Sequence, residues 1–246
     1  MGSRLPDLSL IAAPMVNQSD LPFRILTRAH GATLAYTQML LPDRLLADQP
    51  YRESHQRGLG APHDRPVVVQ LAGNDPDTLV RAARTLLGYC DAVDLNLGCP
   101  QDAAREGHYG AYLLPQHDWP LAQNIVSALA HALPVPVSTK LRLCHPAPHT
   151  LALAHRLEAA GAAWLTLHAR YPSARRRRHA AADLDQVRAL KFGPERAGAG
   201  DGGGGGVRIP VVSNGNVRTW ADVVANKAQT GADGIMVGEA LLANPW

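Results

Sequence analysis

The segment VPVSTKLRLCHPAPHTLALAHRLEAAGAAWLTLHAR, residues 135–170, decides the fold. It opens with a strand-like run from Val135 to Leu143, rich in Val, Thr and Leu. Further on, TLALAHRLEAAGA repeats apolar residues at helical spacing. Gly161 stands where a helix end takes its left-handed residue. The chain then feeds directly into a second strand-like run, Ala162 to Arg170. Strand, helix, strand in that order is the unit of a parallel sheet.

The same rhythm extends in both directions. Strand-like runs occur at LSLIAA (8–13), TLAYTQM (33–39), PVVVQLAG (66–73) and AVDLNLG (92–98) on one side, and at IPVVSNGNV (209–217) and DGIMVGE (233–239) on the other. Helical segments lie between them. DPDTLVRAARTLLGYC has an Asp-Pro start and apolar residues at Leu79, Ala82, Ala83, Leu86 and Leu87. PLAQNIVSALAHAL and TWADVVANKAQTGA read the same way, the latter closing at Gly231. Eight such units make an α/β protein of the closed (β/α)8 TIM barrel type. A doubly wound open sheet is the alternative, but it usually has a Gly-rich first βα turn. Here that turn is APMVNQSD, without glycine. Residues 1–246 are expected to form one barrel domain, with GAGDGGGGG (198–206) as a flexible surface insertion and the eighth helix missing or very short.

The bulk numbers narrow the class. With 246 residues, 46% of them hydrophobic, the chain suffices for one large core or two small domains. No window approaches the roughly 18 uninterrupted apolar residues of a membrane helix. The opening MGSRLPDLSLIAAPM lacks a signal-peptide layout. Three cysteines, at 90, 99 and 144, show neither a CxxC pair nor zinc spacing, so no metal is expected. The odd count argues against a disulfide framework and for a reducing compartment, cytoplasm or nucleus. A formal charge of +3 allows an acidic partner without requiring one.

In such a barrel, catalytic groups come from the C-terminal ends of strands. Those positions hold Pro14 and Met15, Met39, Gln70, Asn96 and Cys99, then Lys140 and Arg142. His168 and Arg170, then Asn214, Gly215 and Asn216, and finally Gly238 and Glu239 complete the circuit. Lys140 is the sharpest signal. A lysine facing a barrel interior loses hydration unless a negative group, such as a phosphate or an anionic ring, stands opposite. The other reading turns it outward under a helix to snorkel to water. SNGNV and VGEALL follow strands seven and eight, the usual phosphate side of this fold. Gln70 needs partners for both ends of its amide, from a heteroaromatic edge or from backbone. His168 reads as structural or as a neighbour of Lys140 at a cofactor. Cys99 reads as a small buried hydrophobe or as a reachable thiol, protonated at neutral pH and able to donate a proton. No histidine and acid have the spacing of a cysteine hydrolase. Arg175 to Arg178 form a basic run that suits a phosphate backbone or a solvated loop.

These motifs resemble the tRNA-dihydrouridine synthases. APMVNQSDLPFRILTRAHGATLAYTQM looks like that family's opening. VVVQLAGNDPDTLVRAA, DAVDLNLGCPQ, VPVSTKLRL, LTLHAR, IPVVSNGNV and TGADGIMVGEALLANP follow in the family's order, over nearly the whole chain. LNLGCPQ with GHYGAYL is most similar to the eukaryotic type acting at D-loop positions 16 and 17. The resemblance implies a barrel that binds FMN, takes electrons from NADPH and reduces the C5–C6 double bond of uridine in tRNA. It implies FMN contacts at Pro14, Met15, Val16, Gln70, Lys140 and His168, and phosphate-side loops at Asn214, Gly215, Asn216, Gly238 and Glu239. It also implies a uracil contact at Asn96, with substrate contacts at Arg142 and Arg170, and a proton donor at Cys99, carried on a flexible loop that closes over the base. Where the family has His-Gly-Arg-Thr-Arg, this chain has His168-Ala169-Arg170-Tyr171-Pro172. The family's C-terminal helical tRNA-binding domain is expected to be absent, and the protein to be a monomer. Two other functions share the features: an FMN-dependent reductase of free pyrimidines, and a truncated, non-catalytic RNA-binding barrel.

Overall fold

A computed structural model describes residues 5–59, 61–173, 181–194 and 205–245. Among them, eight parallel strands close into a barrel in sequence order. The strands are β1 (Leu10–Ala12), β2 (Leu34–Leu40), β3 (Val67–Leu71), β4 (Ala92–Leu97), β5 (Val137–Arg142), β6 (Trp164–His168), β7 (Val211–Asn214) and β8 (Gly234–Val237). The ring closes where Ile11 of β1 pairs with Met236 of β8.

Period-two alternation sorts the strand residues into two shells. Val67, Val69 and Leu71 of β3, Val93, Leu95 and Leu97 of β4, and Leu165 and Leu167 of β6 join the outer core under the helices. Tyr36, Val68, Ala92, Trp164, Val212 and Met236 fill the inside of the barrel. Inward positions further along the strands turn polar: Gln70, then Asp94 and Asn96, then Ser138 and Lys140. Register sets these side by side, with Asn96 paired to Lys140 and Arg142 to His168.

The outer layer is built from α1 (Leu21–Ala29), α2 (Pro42–Ala47), α3 (Gln49–Arg57), α4 (Pro76–Arg84), α5 (Asp102–Glu106), α6 (Trp119–Ala132), α7 (Pro148–Ala159), α8 (Leu184–Phe192), α9 (Trp220–Thr230) and α10 (Glu239–Ala243). Several start on side-chain caps. Asp75 accepts from the Thr78 amide at 2.7 Å, and Thr219 and Asp222 form a reciprocal capping box on α9. Gly161 and Gly231 close α7 and α9 at φ of 103° and 64°. The buried Asp64 carboxylate binds Arg24 of α1 through Nε and Nη2, at distances down to 2.6 Å, and also meets Arg28. Arg24 in turn donates to Ser19 O at 2.8 Å, so this cluster anchors α1 and the turn before it.

Two expectations gain structural detail. The segment after β4, expected as a flexible loop, contains regular structure. It folds into α5 and two short 3-10 turns, Gly110–Leu113 and Gln116–Asp118, because its amides find local carbonyl partners. The Gly-rich tract is partly seated: Gly205 O accepts from His155 Nε2 at 2.8 Å, and Gly206 lies too close to the Lys191 backbone for any side chain. Residues 198–204 of that tract, and Arg175 to Arg178, lie outside the described residues. After β8 the helix α10 has five residues.

Candidate active site

A cavity of about 400 Å³ opens at the C-terminal mouth of the barrel. The turn after β1 builds one wall. Buried Ser19 donates to Ala13 O and accepts from the Met15 amide, both at 2.8 Å, and this stitches Pro14, Met15 and Val16 along the cavity edge.

The second wall comes from β3 and β4. Gln70 and Asn96 reach the cavity, and Asn96 Nδ2 donates to Gln70 Oε1 at 2.8 Å. Asn96 Oδ1 accepts from the backbone amides of Gly98 and Cys99, both at 2.9 Å. Cys99 is partly exposed and borders the cavity. The Ala111 amide donates to Cys99 O at 3.0 Å. Gly110, at φ 66°, lets these backbones meet, since a Cβ there would stand 2.7 Å from Cys99 O. Cys90 and Cys144 are buried, and burial pushes their thiols up to about 12 and about 11.

Lys140, Arg142, His168 and Arg170 form the third wall, from β5, β6 and the residues beyond. Lys140 faces the cavity rather than the helical layer. Burial first, and then the positive charge of Arg142, bring its pKa down to about 8, while Asp94 and Cys99 act the other way. Burial, then the charge of Arg170, holds Arg142 down to about 10. His168 is held well below the usual histidine value, by burial first and then by Lys140, Arg142 and Arg170. It is therefore neutral. Arg170 Nη1 lies 3.0 Å from His168 Nε2, and a guanidinium only donates, so Nε2 is the acceptor and the ring proton sits on Nδ1. Arg142 Nη1 donates to Tyr171 O at 3.0 Å.

The loops after β7 and β8 close the ring with Asn214, Gly215, Asn216, Gly238 and Glu239. The two asparagine side chains serve the protein itself. Asn214 Nδ2 donates to Met236 O at 2.8 Å. Asn216 Oδ1 accepts from Arg170 Nη2 at 3.1 Å and from the Ala182 amide at 2.8 Å. Gly215, at φ 139°, leaves room that a Cβ would close, since it would stand 2.6 Å from the Ala182 Cβ.

Every residue singled out at a strand end thus borders one cavity. Sequence reading missed Arg218, which also lines it, and Asp94, which lies buried beneath it. Asp94 was readable as the inward partner of Asn96 two residues on, by strand parity. Arg218 had no comparable signal. Among the described residues, no group of three or more His, Cys, Asp or Glu could hold a metal ion, and no helix is long and apolar enough to cross a membrane.

Most of the chain is similar in sequence to known proteins. The mouse (Mus musculus) protein named as tRNA-dihydrouridine(16/17) synthase-like is 39% identical over 235 residues, 96% of this chain and 46% of its own length. The tRNA-dihydrouridine(16/17) synthase of Saccharomyces cerevisiae is 38% identical over 236 residues, 96% and 53% of the two chains. The tRNA-dihydrouridine synthase B of Yersinia pestis is 33% identical over 242 residues, covering 96% of this chain and 69% of its own. The chain spans about half the length of the first two. Among solved structures, a 2-naphthoyl-CoA reductase complex superposes with a TM-score of 0.69 at 12% identity, over 98% of this chain and 49% of the other, a likeness of fold alone. Residues 10–246 match the dihydrouridine synthase (Dus) family, and the chain belongs to it.

Proposed function

We propose that this chain is an FMN-dependent tRNA-dihydrouridine synthase that reduces the C5–C6 double bond of uridine in the tRNA D-loop, with NADPH as reductant. The observation that carries the reading is the meeting of Cys99 and Asn96 with Lys140 and His168 around one cavity at the catalytic end of the barrel. Family membership and relatives named for tRNA-dihydrouridine synthesis support it.

The donor set suits FMN. Lys140, Gln70 and neutral His168 offer a cation, an amide and a ring nitrogen to a heteroaromatic edge. Gly215 and Gly238 bring backbone close enough for a phosphate, with Arg170 and Arg218 nearby. When bound and reduced, FMN supplies the hydride that adds to uracil C6.

The chain's own residues would do the rest. Lys140 stabilises negative charge on an anionic ring beside it. Asn96 orients the uracil. As the C6–H bond forms, electron density gathers at C5, and the Cys99 thiol gives its proton there. The resulting thiolate regains a proton from solvent, which reaches Cys99 through its exposed side. A positioned acid of this kind contributes about 10²–10⁴-fold. The uridine must leave its stack to enter the cavity, and Arg142 and Arg170 suit the phosphates beside it.

The test is reconstitution. The protein, purified with FMN, is expected to be yellow and to form dihydrouridine in unmodified tRNA with NADPH, with tRNA affinity falling as salt rises. A protein that binds no flavin, or that reduces free uridine as well as tRNA, would defeat the reading.

A further inference from the structure

Asp94 is fully buried on β4, below the cavity and not bordering it. Its Oδ1 accepts from Ser138 Oγ at 2.6 Å, and its Oδ2 accepts from Gln70 Nε2 at 2.8 Å. Gln70 Oε1 accepts from Asn96 Nδ2 at 2.8 Å. Asn96 Oδ1 accepts from the Gly98 and Cys99 amides at 2.9 Å each. The run is unbroken from the barrel core to the turn that carries the thiol.

Its two ends have fixed chemistry. A carboxylate only accepts, and a backbone amide only donates. The two amide side chains between them have one orientation that satisfies both ends. A flipped Gln70 would aim its carbonyl at the Asp94 carboxylate and its NH2 at the NH2 of Asn96. An apolar residue at position 94 would fill the core at less cost, since burial penalises a charged group. Burial raises the Asp94 pKa to about 6, while Ser138, Gln70 and the Lys140 charge hold it down, so it is ionised at neutral pH.

We propose that Asp94 is a positioning residue: it locks the orientation of Gln70 and Asn96, and through them the turn that presents Cys99. As a statement about catalysis this rests on the function proposed above.

The experiment compares the holoenzyme with Asp94→Asn and Asp94→Ala. The asparagine keeps the shape, accepts from Gln70 with its carbonyl and turns its NH2 to Ser138, whose hydroxyl can accept. The alanine removes the terminal acceptor. Two readouts are taken. One is the rate of Cys99 alkylation by iodoacetamide, mapped by peptide mass spectrometry, with buried Cys90 and Cys144 as slow internal controls. The other is single-turnover uridine reduction beside NADPH oxidation without tRNA. Asp94→Ala is expected to shift the alkylation rate and to slow uridine reduction about 10–100-fold more than it slows NADPH oxidation, because a small misplacement of a reacting group costs on that order. Asp94→Asn is expected to restore both. Wild-type behaviour in the alanine variant, or equal loss in both, would overturn the proposal. If the alanine variant does not fold, Gln70→Glu breaks the same link at constant volume. Adding Asp94→Asn to it restores a donor facing a carboxylate, and the alkylation rate should return. An unchanged perturbation in the double variant would overturn the proposal. A wild-type protein without turnover would end the functional reading alone, since alkylation needs no reaction.

Discussion

Lys140 is a cation lining the cavity, and its burial has a consequence that pH can read. Burial and the nearby Arg142 bring its pKa down to about 8. The charged form is therefore disfavoured in the unliganded fold, which becomes more stable as pH rises from about 8 toward the ordinary lysine value. An anionic ligand reverses this preference. Its affinity should be flat below pH 8 and fall above it, as binding comes to require uptake of a proton. Flavin titration across this range checks the slope. Lys140→Met should weaken flavin binding about 10–100-fold, the worth of a hydrogen bond to a charged group, and abolish the pH dependence. A methionine variant that keeps both affinity and slope would remove Lys140 from the cofactor's surroundings. The neutral His168 beside it shows the same field from the other side: three cations leave no room for a fourth charge.

At the scale of elements, the turn after β1 depends on a cluster that does not itself line the cavity. Asp64 has no exposed surface, and Arg24, at 3%, binds it with two nitrogens while holding Ser19 O with a third. Removing one partner of a buried pair typically costs about 3–5 kcal/mol, because the remaining charge stays buried. Asp64→Ala should lower the unfolding free energy by that amount in urea denaturation, against a surface change of a few tenths. The cluster also shows what a sequence conceals. The strands were legible as short β-rich runs alternating with segments of helical spacing. α9 was legible from its spacing and its closing Gly231, and α6 from its apolar spacing. α3 was not, because none of its residues is buried and it carries no apolar stripe. α2 hides for a related reason, with only Pro42 and Leu45 buried. The short turns after β4 were not legible, because they rest on backbone hydrogen bonds, which leave no pattern in side chains.

For the molecule as a whole, the barrel turns eight separate strand ends into one site. That is why the site was readable: fold class alone states which end of each strand matters. What fold class does not state is which inward polar residue stops short of the cavity. Asp94 and Asn96 share a face of β4, yet one is sealed beneath the other, and only the closed ring distinguishes them. The side chains of Asn214 and Asn216 illustrate the same limit, since they point to the phosphate loops in sequence and spend their hydrogen bonds on the protein in the fold. The central claim is that the Cys99 thiol completes the reduction of uridine. It is tested most directly by measuring dihydrouridine, by nucleoside mass spectrometry, in unmodified tRNA incubated with FMN-loaded Cys99→Ala and NADPH. The account predicts a variant that keeps its flavin and its NADPH-driven flavin reduction but forms dihydrouridine about 10²–10⁴-fold more slowly than the wild type. Dihydrouridine formation at the wild-type rate would contradict it.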